Sequence, residues 1–190
     1  MAENKVVFGL KKVHCAVITE EGNTISYGTP KSLPGAKSLS LEPKGATSDF
    51  YADDIIYYTS TSNQGYETKL GIANIPEWFR TEVLGETKDT KDKVITENAN
   101  AKPKKIAFMF EFDGDQKATR HLLTYCTVSR PGLSSESKTE TTEPGTTELT
   151  LVASPRPTDS VVKISTSAET TSDVYNAWYT KVYDPTQERD

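Results

Sequence analysis

Residues 106–113 read IAFMFEFD, and every second side chain, from Ile106 through Phe108 and Phe110 to Phe112, is large and apolar. A period of two belongs to a β-strand, because successive Cβ atoms point to opposite faces. Lys105, Glu111 and Asp113 fall on the other face, so the pattern predicts a strand with one side in a core. Asp113-Gly114 supplies a turn. The return strand, residues 118–129, is apolar on both sides, with Leu122, Cys126 and Val128 on one and Leu123 and Tyr125 on the other. A strand of that kind needs two covers, which the chain's own helix or another subunit would provide.

Shorter strands surround this pair. Val13, Cys15 and Val17 alternate within residues 13–19, Glu21-Gly22-Asn23 reads as a turn, and residues 24–27 can return. Leu39 and Leu41 alternate with Ser38, Ser40 and Glu42. Residues 55–61 and 66–74 flank Asn63-Gln64-Gly65 and read as a hairpin. Residues 75–84 form the clearest helix: Pro76 suits its first turn, Glu77 its positive end, and Gly85 closes it. Ile75, Phe79 and Val83 make one apolar stripe, widened by Trp78 and Leu84. Leu149, Leu151 and residues 161–166 complete the strands. The fold class expected is mainly β: an antiparallel β-sandwich or partial barrel with one packed α-helix.

The organisation predicted is a single domain over residues 1–190 with polar extensions. Residues 1–12 read as an N-terminal arm, with Val6, Val7, Phe8 and Leu10 available to pack. Residues 85–104 and 131–147 read as polar loops, the second with room for a polar strand around residues 135–142. The aromatic C-terminal tail, residues 172–190, carries Tyr175, Trp178, Tyr179, Val182 and Tyr183. Val174, Trp178 and Val182 fit helical spacing, while the residue types also admit a strand.

Charge and motifs remove several function classes. Twenty-two basic against 27 acidic residues leave a formal charge of −5, with no basic block of the kind that grips DNA phosphate. No run is apolar enough to span a membrane, and residues 1–12 lack the apolar core of a signal peptide, so a cytoplasmic site of synthesis is expected. Cys15 and Cys126 lie in strand-like contexts and read as reduced buried thiols, a disulfide being the minority reading. His14 and His121 have no metal-ligand spacing around them. The pairs Asp53-Asp54 and Asp113/Asp115 fit turn chemistry better than acid–base work, and the glycines make no phosphate loop. No catalytic, cofactor-binding or metal-binding residue is identified.

The aromatic pairs Phe50-Tyr51 and Tyr57-Tyr58 have three readings. One ring of each enters the core, or the rings form a subunit interface where Tyr and Trp concentrate, or they stack on sugar.

Several segments, in this order, resemble the major tail proteins of long-tailed bacteriophages. They are GLKKVHCAVIT, LPGAKSLSLEP, FYADDIIYYTSTSNQGYE with LGIANIPEWFRTEVLG, TLVASPRP and VYNAWYTKVYDP. The resemblance implies a β-sandwich with a flanking helix and no catalytic residues. It implies a structural virion protein, assembled in the host cytoplasm into hexameric rings that stack as a tail tube. The partners implied are further copies of the chain, the tape-measure protein and other tail proteins. DNA would pass through the bore without specific binding, and a net acidic subunit fits a bore that carries more Asp and Glu than Lys and Arg. Phe50, Tyr51, Tyr57, Tyr58, Trp178, Tyr179 and Tyr183 are the candidate subunit and ring contacts. The rival classes are a carbohydrate- or host-surface-binding β-sandwich module, and another virion part such as a head decoration or tail terminator protein.

Overall fold

The computed structural model describes residues 4–22, 24–133 and 145–185. The expected polar strand around residues 135–142 lies outside them.

The strands are β1 (Val7–Glu21), β2 (Thr24–Tyr27), β3 (Lys31–Ser32), β4 (Ala36–Lys44), β5 (Thr47–Ala52), β6 (Ile55–Thr61) and β7 (Gly65–Ile72). After helix α1 (Glu77–Glu82) come β8 (Thr87–Lys88), β9 (Ile95–Thr96), β10 (Ile106–Gly114), β11 (Thr119–Val128), β12 (Thr147–Ala153) and β13 (Lys163–Ser165). Helix α2 (Ser172–Ala177) follows. Nine strands make one antiparallel sheet in the order β2-β1-β10-β11-β12-β7-β4, with β3 also on β1 and β13 also on β11. The sheet curls until β4 comes back near β1. The result is a mainly β, sandwich-like partial barrel, as the strand periodicity indicates.

The curl encloses the main core. Val13, Cys15, Leu70, Ile72, Phe108, Phe110, Leu123, Cys126, Leu149 and Leu151 point into it, and Phe79 and Val83 of the α1 region close it from one side. Burying side chains of this kind contributes about 1.5–3 kcal/mol each. Pro76 stands at the N-cap of α1, and Gly85, at φ +79°, ends the helical turn in the left-handed region. The second face of the sheet has its own smaller core, in which Ala16, Ala107, Met109 and Leu122 meet Trp178 and Val182 of the C-terminal segment.

Four expectations need correction. Residues 55–61 do not pair with 66–74: β6 pairs with β5, while β7 lies between β4 and β12. The physical reason is β4, whose Leu39 and Leu41 pack on the core only when paired along the length of β7. The arm at residues 1–12 is, from Val7 onward, the first half of a 15-residue strand paired with the far end of β10. The stretch 85–104 remains a loop, carrying only the short β8–β9 ladder and tied back by Lys104 N–H donating to the Val83 carbonyl at 2.7 Å. Glu111 is buried rather than on a polar face, because the C-terminal segment covers that side of β10. Leu122 and Cys126 do not share a face. A register shift between Ile106 and Phe108 puts a bulge in β11, so Leu123 and Cys126 face the main core and Leu122 the other.

Candidate functional site

The β5–β6 hairpin forms a two-stranded sheet of its own. Its pairs run from Thr47 opposite Thr61 through Phe50 opposite Tyr58, then, past a register shift, Tyr51 opposite Ile56 and Ala52 opposite Ile55. Adjacent residues point to opposite faces, so Phe50 with Tyr58 marks one face and Tyr51 with Ile56 the other. The turn residues Asp53 and Asp54 sit at φ 52° and 62°. Positive φ at both central positions defines the I′ turn, whose twist matches that of the strands. Asp49 accepts a hydrogen bond from the Thr59 hydroxyl at 2.7 Å.

The base of the ribbon is clamped. Ser62 N–H donates to the Ala46 carbonyl at 3.0 Å, Ala46 N–H to the Ser62 hydroxyl at 3.0 Å, and Gln64 N–H to the Lys44 carbonyl at 2.8 Å. Two glycines permit this crossing. A Cβ on Gly45 would lie 2.0 Å from the Ser62 carbonyl oxygen, and one on Gly65, at φ +99°, would lie 1.9 Å from that of Ala153.

What the hairpin presents is apolar on both sides. Phe50, Tyr51, Ile55, Ile56, Tyr57 and Tyr58 are all 54–72% exposed. This removes the reading in which one ring of each aromatic pair enters the core. An isolated two-stranded hairpin is only marginally stable in water, and six large apolar side chains more than half exposed among the described residues add a cost of hydration. The hairpin combines the Tyr and Phe enriched in interface cores with three aspartates, Asp49, Asp53 and Asp54, of a type such cores lack.

Trp178, Tyr179 and Tyr183 are placed differently. Trp178 is 2% exposed in the second core, its ring stacked on Tyr183 at 5.6 Å. The C-terminal segment that carries these rings is held by two buried arginines. Arg120 lies over the Tyr175 ring at 3.7 Å, donates to the Tyr175 carbonyl, and pairs with Glu111 at 3.1 Å. The Tyr179 hydroxyl donates to the same Glu111 at 3.3 Å, and burial beside that carboxylate pushes the Tyr179 phenol up. Arg156 pairs with Asp159 and, at 3.2 Å, with Asp184, while its Nη1 donates to the Tyr27 hydroxyl at 3.0 Å. These contacts raise the guanidinium further above its ordinary value. Sequence reasoning missed both arginines and the burial of Glu111. Charged residues are seldom fully buried, so nothing in a single sequence marks the few that are.

Other chemistry finds little to work with. Cys15 and Cys126 are free and buried, and burial pushes both thiols up, away from the reactive thiolate. Among the described residues no group of His, Cys, Asp and Glu is arranged to hold a metal ion. A cleft of about 390 Å³ beside the end of α1 is lined by Ile75, Leu84, Ala101 and Pro131. Its charged groups satisfy one another, Arg80 with Glu86 at 2.6 Å and Arg130 with Glu97 at 2.7 Å, and do not converge on a ligand. No described helix is long and apolar enough to cross a membrane. No protein-family model and no curated protein matches the chain.

Proposed function

We propose that the chain is a structural subunit that assembles with copies of itself into hexameric rings, stacked as a tube of the phage tail kind. The observation that carries this reading is the clamped hairpin with large apolar side chains exposed on both faces. Covering it from outside the chain is the way to recover its hydrophobic free energy. The far side of β4, at one end of the sheet path, carries no ladder among the described residues, although it curls back near β1. The segment resemblance to major tail proteins points to the same role, with the tape-measure protein inside the forming tube and DNA passing later. Contacts between unlike patches are what close rings and extend stacks.

The test is negative-stain electron microscopy of the purified chain, dilute and concentrated. Hollow tubes or stacked six-fold rings are expected. Closed trimers or single rings that never stack would favour a head decoration or terminator role. A particle that stays monomeric at every concentration and binds glycans through the hairpin rings would replace the reading altogether.

A further inference from the structure

The hairpin is one of two dense groups of exposed apolar side chains among the described residues. The other is Val6, Val7 and Phe8, each 56–58% exposed, at the start of β1. Since both groups are exposed within one copy, neither covers the other.

The register places both at the same end of the sheet. One row across the ladder runs from Lys44 to Gly65, and its neighbour from Tyr66 through Ala153, Cys126 and Ile106 to Val17. Beyond these rows the hairpin extends in the direction in which β10 runs to Gly114 and β1 runs back to Val7. Residues 7–11 pair with β10 on one side, from Val7 opposite Gly114 to Lys11 opposite Glu111. The strands on the other side of β1 begin only at His14. The outer edge of residues 7–11 therefore pairs with no described strand. Register shifts at Gly9 (φ +66°) and Lys12 (φ +48°) bend it, which limits any added ladder to a few residues and leaves the side chains to form a seat.

Charge distinguishes the two patches. Residues 47–61 contain Asp49, Asp53 and Asp54 and no Lys, Arg or His, whereas residues 4–12 contain Lys5, Lys11 and Lys12 and no Asp or Glu. Lys11 and Lys12 reach back to Asp113 and Glu111 yet remain more than half exposed. Asp113 and Asp115 lie beside the strand start and offset part of this positive charge; two hairpins meeting each other would bring only like charges together, whereas the strand start still offers exposed lysines. The areas of the two patches match. One face of the ribbon, about half of its four partly exposed rings and two isoleucines, offers roughly 300–450 Å², comparable with what Val6, Val7 and Phe8 expose; the ~800 Å² per partner of a stable interface then needs further contacts around the ring.

We propose that the hairpin of one copy seats on the start of β1 of the next, with apolar side chains packing on Val6, Val7 and Phe8 and the aspartates turned toward Lys5, Lys11 and Lys12. This names the partner surface within the tube reading and rests on it. Donor and seat are different patches, so the contact can run from copy to copy around a ring with one polarity, or close reciprocally as a two-fold dimer, which the ladder of linked oligomers below separates.

The test uses the full chain in two batches with one added cysteine each, Tyr58→Cys and Val7→Cys, mixed under assembling conditions and treated with a short bis-maleimide. The native thiols are buried and stay silent. Linked dimers are expected in the mixture and in neither batch alone, and a chain carrying both substitutions should give a ladder of linked oligomers. Phe8→Ser should raise the assembling concentration about tenfold or more. Val94→Ser, at an exposed valine elsewhere, should leave it unchanged. Rings or tubes without mixed linkage, and with Phe8→Ser assembling normally, overturn the seat and leave the tube reading standing. Linkage within one batch alone, meaning like patches meet, also overturns it. A wild-type chain that sediments as a monomer at every concentration overturns both.

Discussion

His121 sits in β11 with its ring stacked on Phe110 at 5.0 Å and tilted against Phe112 at 5.3 Å, opposite Ser165 and near Lys163. Its Nδ1 is buried without a hydrogen-bond partner. Burial, with a smaller contribution from the Lys163 charge, lowers its pKa from 6.5 to about 4. Above pH 6.5 neither the folded nor the unfolded chain protonates this ring, and the stability it permits is fully present. Between 6.5 and 4 the unfolded chain takes up a proton that the fold refuses, so stability falls as pH falls through that window and stops falling below it. The full shift would correspond to about 3 kcal/mol; partial exposure of the ring reduces this to about 1–2 kcal/mol. Urea unfolding at pH 7 and pH 4.5 should therefore show wild type losing about 1–2 kcal/mol more than His121→Gln. Equal losses in the two proteins would mean that the ring is protonated in the fold. Arg120, Arg156 and Glu111 present the converse case: charges that burial would penalise are kept because each is paired and hydrogen-bonded, at the point where the C-terminal segment docks.

The β5–β6 hairpin behaves as an element with its own stability, since beyond its clamped base it forms no ladder with the main sheet. Its turn is the weak point, because Asp53 and Asp54 both take positive φ, which Asn and Gly adopt more readily. The double substitution Asp53→Asn with Asp54→Gly should slow amide exchange across residues 47–61 severalfold while leaving β10 and β11 unchanged. Slower exchange throughout the sheet would show that the hairpin is coupled to the core. The periodicity of residues 106–112 and of the Leu39/Leu41 segment identified core strands because large side chains alternated with polar ones. Phe50-Tyr51 and Tyr57-Tyr58 do not alternate in that way, so neither their partner strand nor their exposure was legible. Pairing is set by long-range competition, and β7 was claimed by β4 and β12 for their leucines. The bulge in β11 was equally hidden, since one inserted residue leaves the local pattern looking continuous. The helical spacing of Val174 and Trp178 was legible, and α2 with its C-cap at Trp178 bears it out; Val182 lies past the helix, and the shared face it covers became clear only with the sheet beneath.

The whole molecule divides into a body that stabilises itself and a ribbon that does not. The main core lies within the curled sheet and the second core under the C-terminal segment; no hairpin side chain belongs to either. Ala46 and Ser62, which bracket the ribbon, are already joined by hydrogen bonds at 3.0 Å, the separation a tight turn requires. Deleting residues 47–61 and closing the gap with an Asn-Gly dipeptide should therefore leave a folded chain whose denaturant midpoint is close to that of the full protein. Its m-value should be slightly smaller, because less surface is exposed on unfolding. The same deletion should abolish assembly, since it removes the most numerous group of exposed apolar side chains among the described residues. A deleted chain that still forms rings or tubes would put the principal contact elsewhere, with the outer edge of β4 the next surface to block. A deleted chain that fails to fold would show that the hairpin supports the body from which it extends.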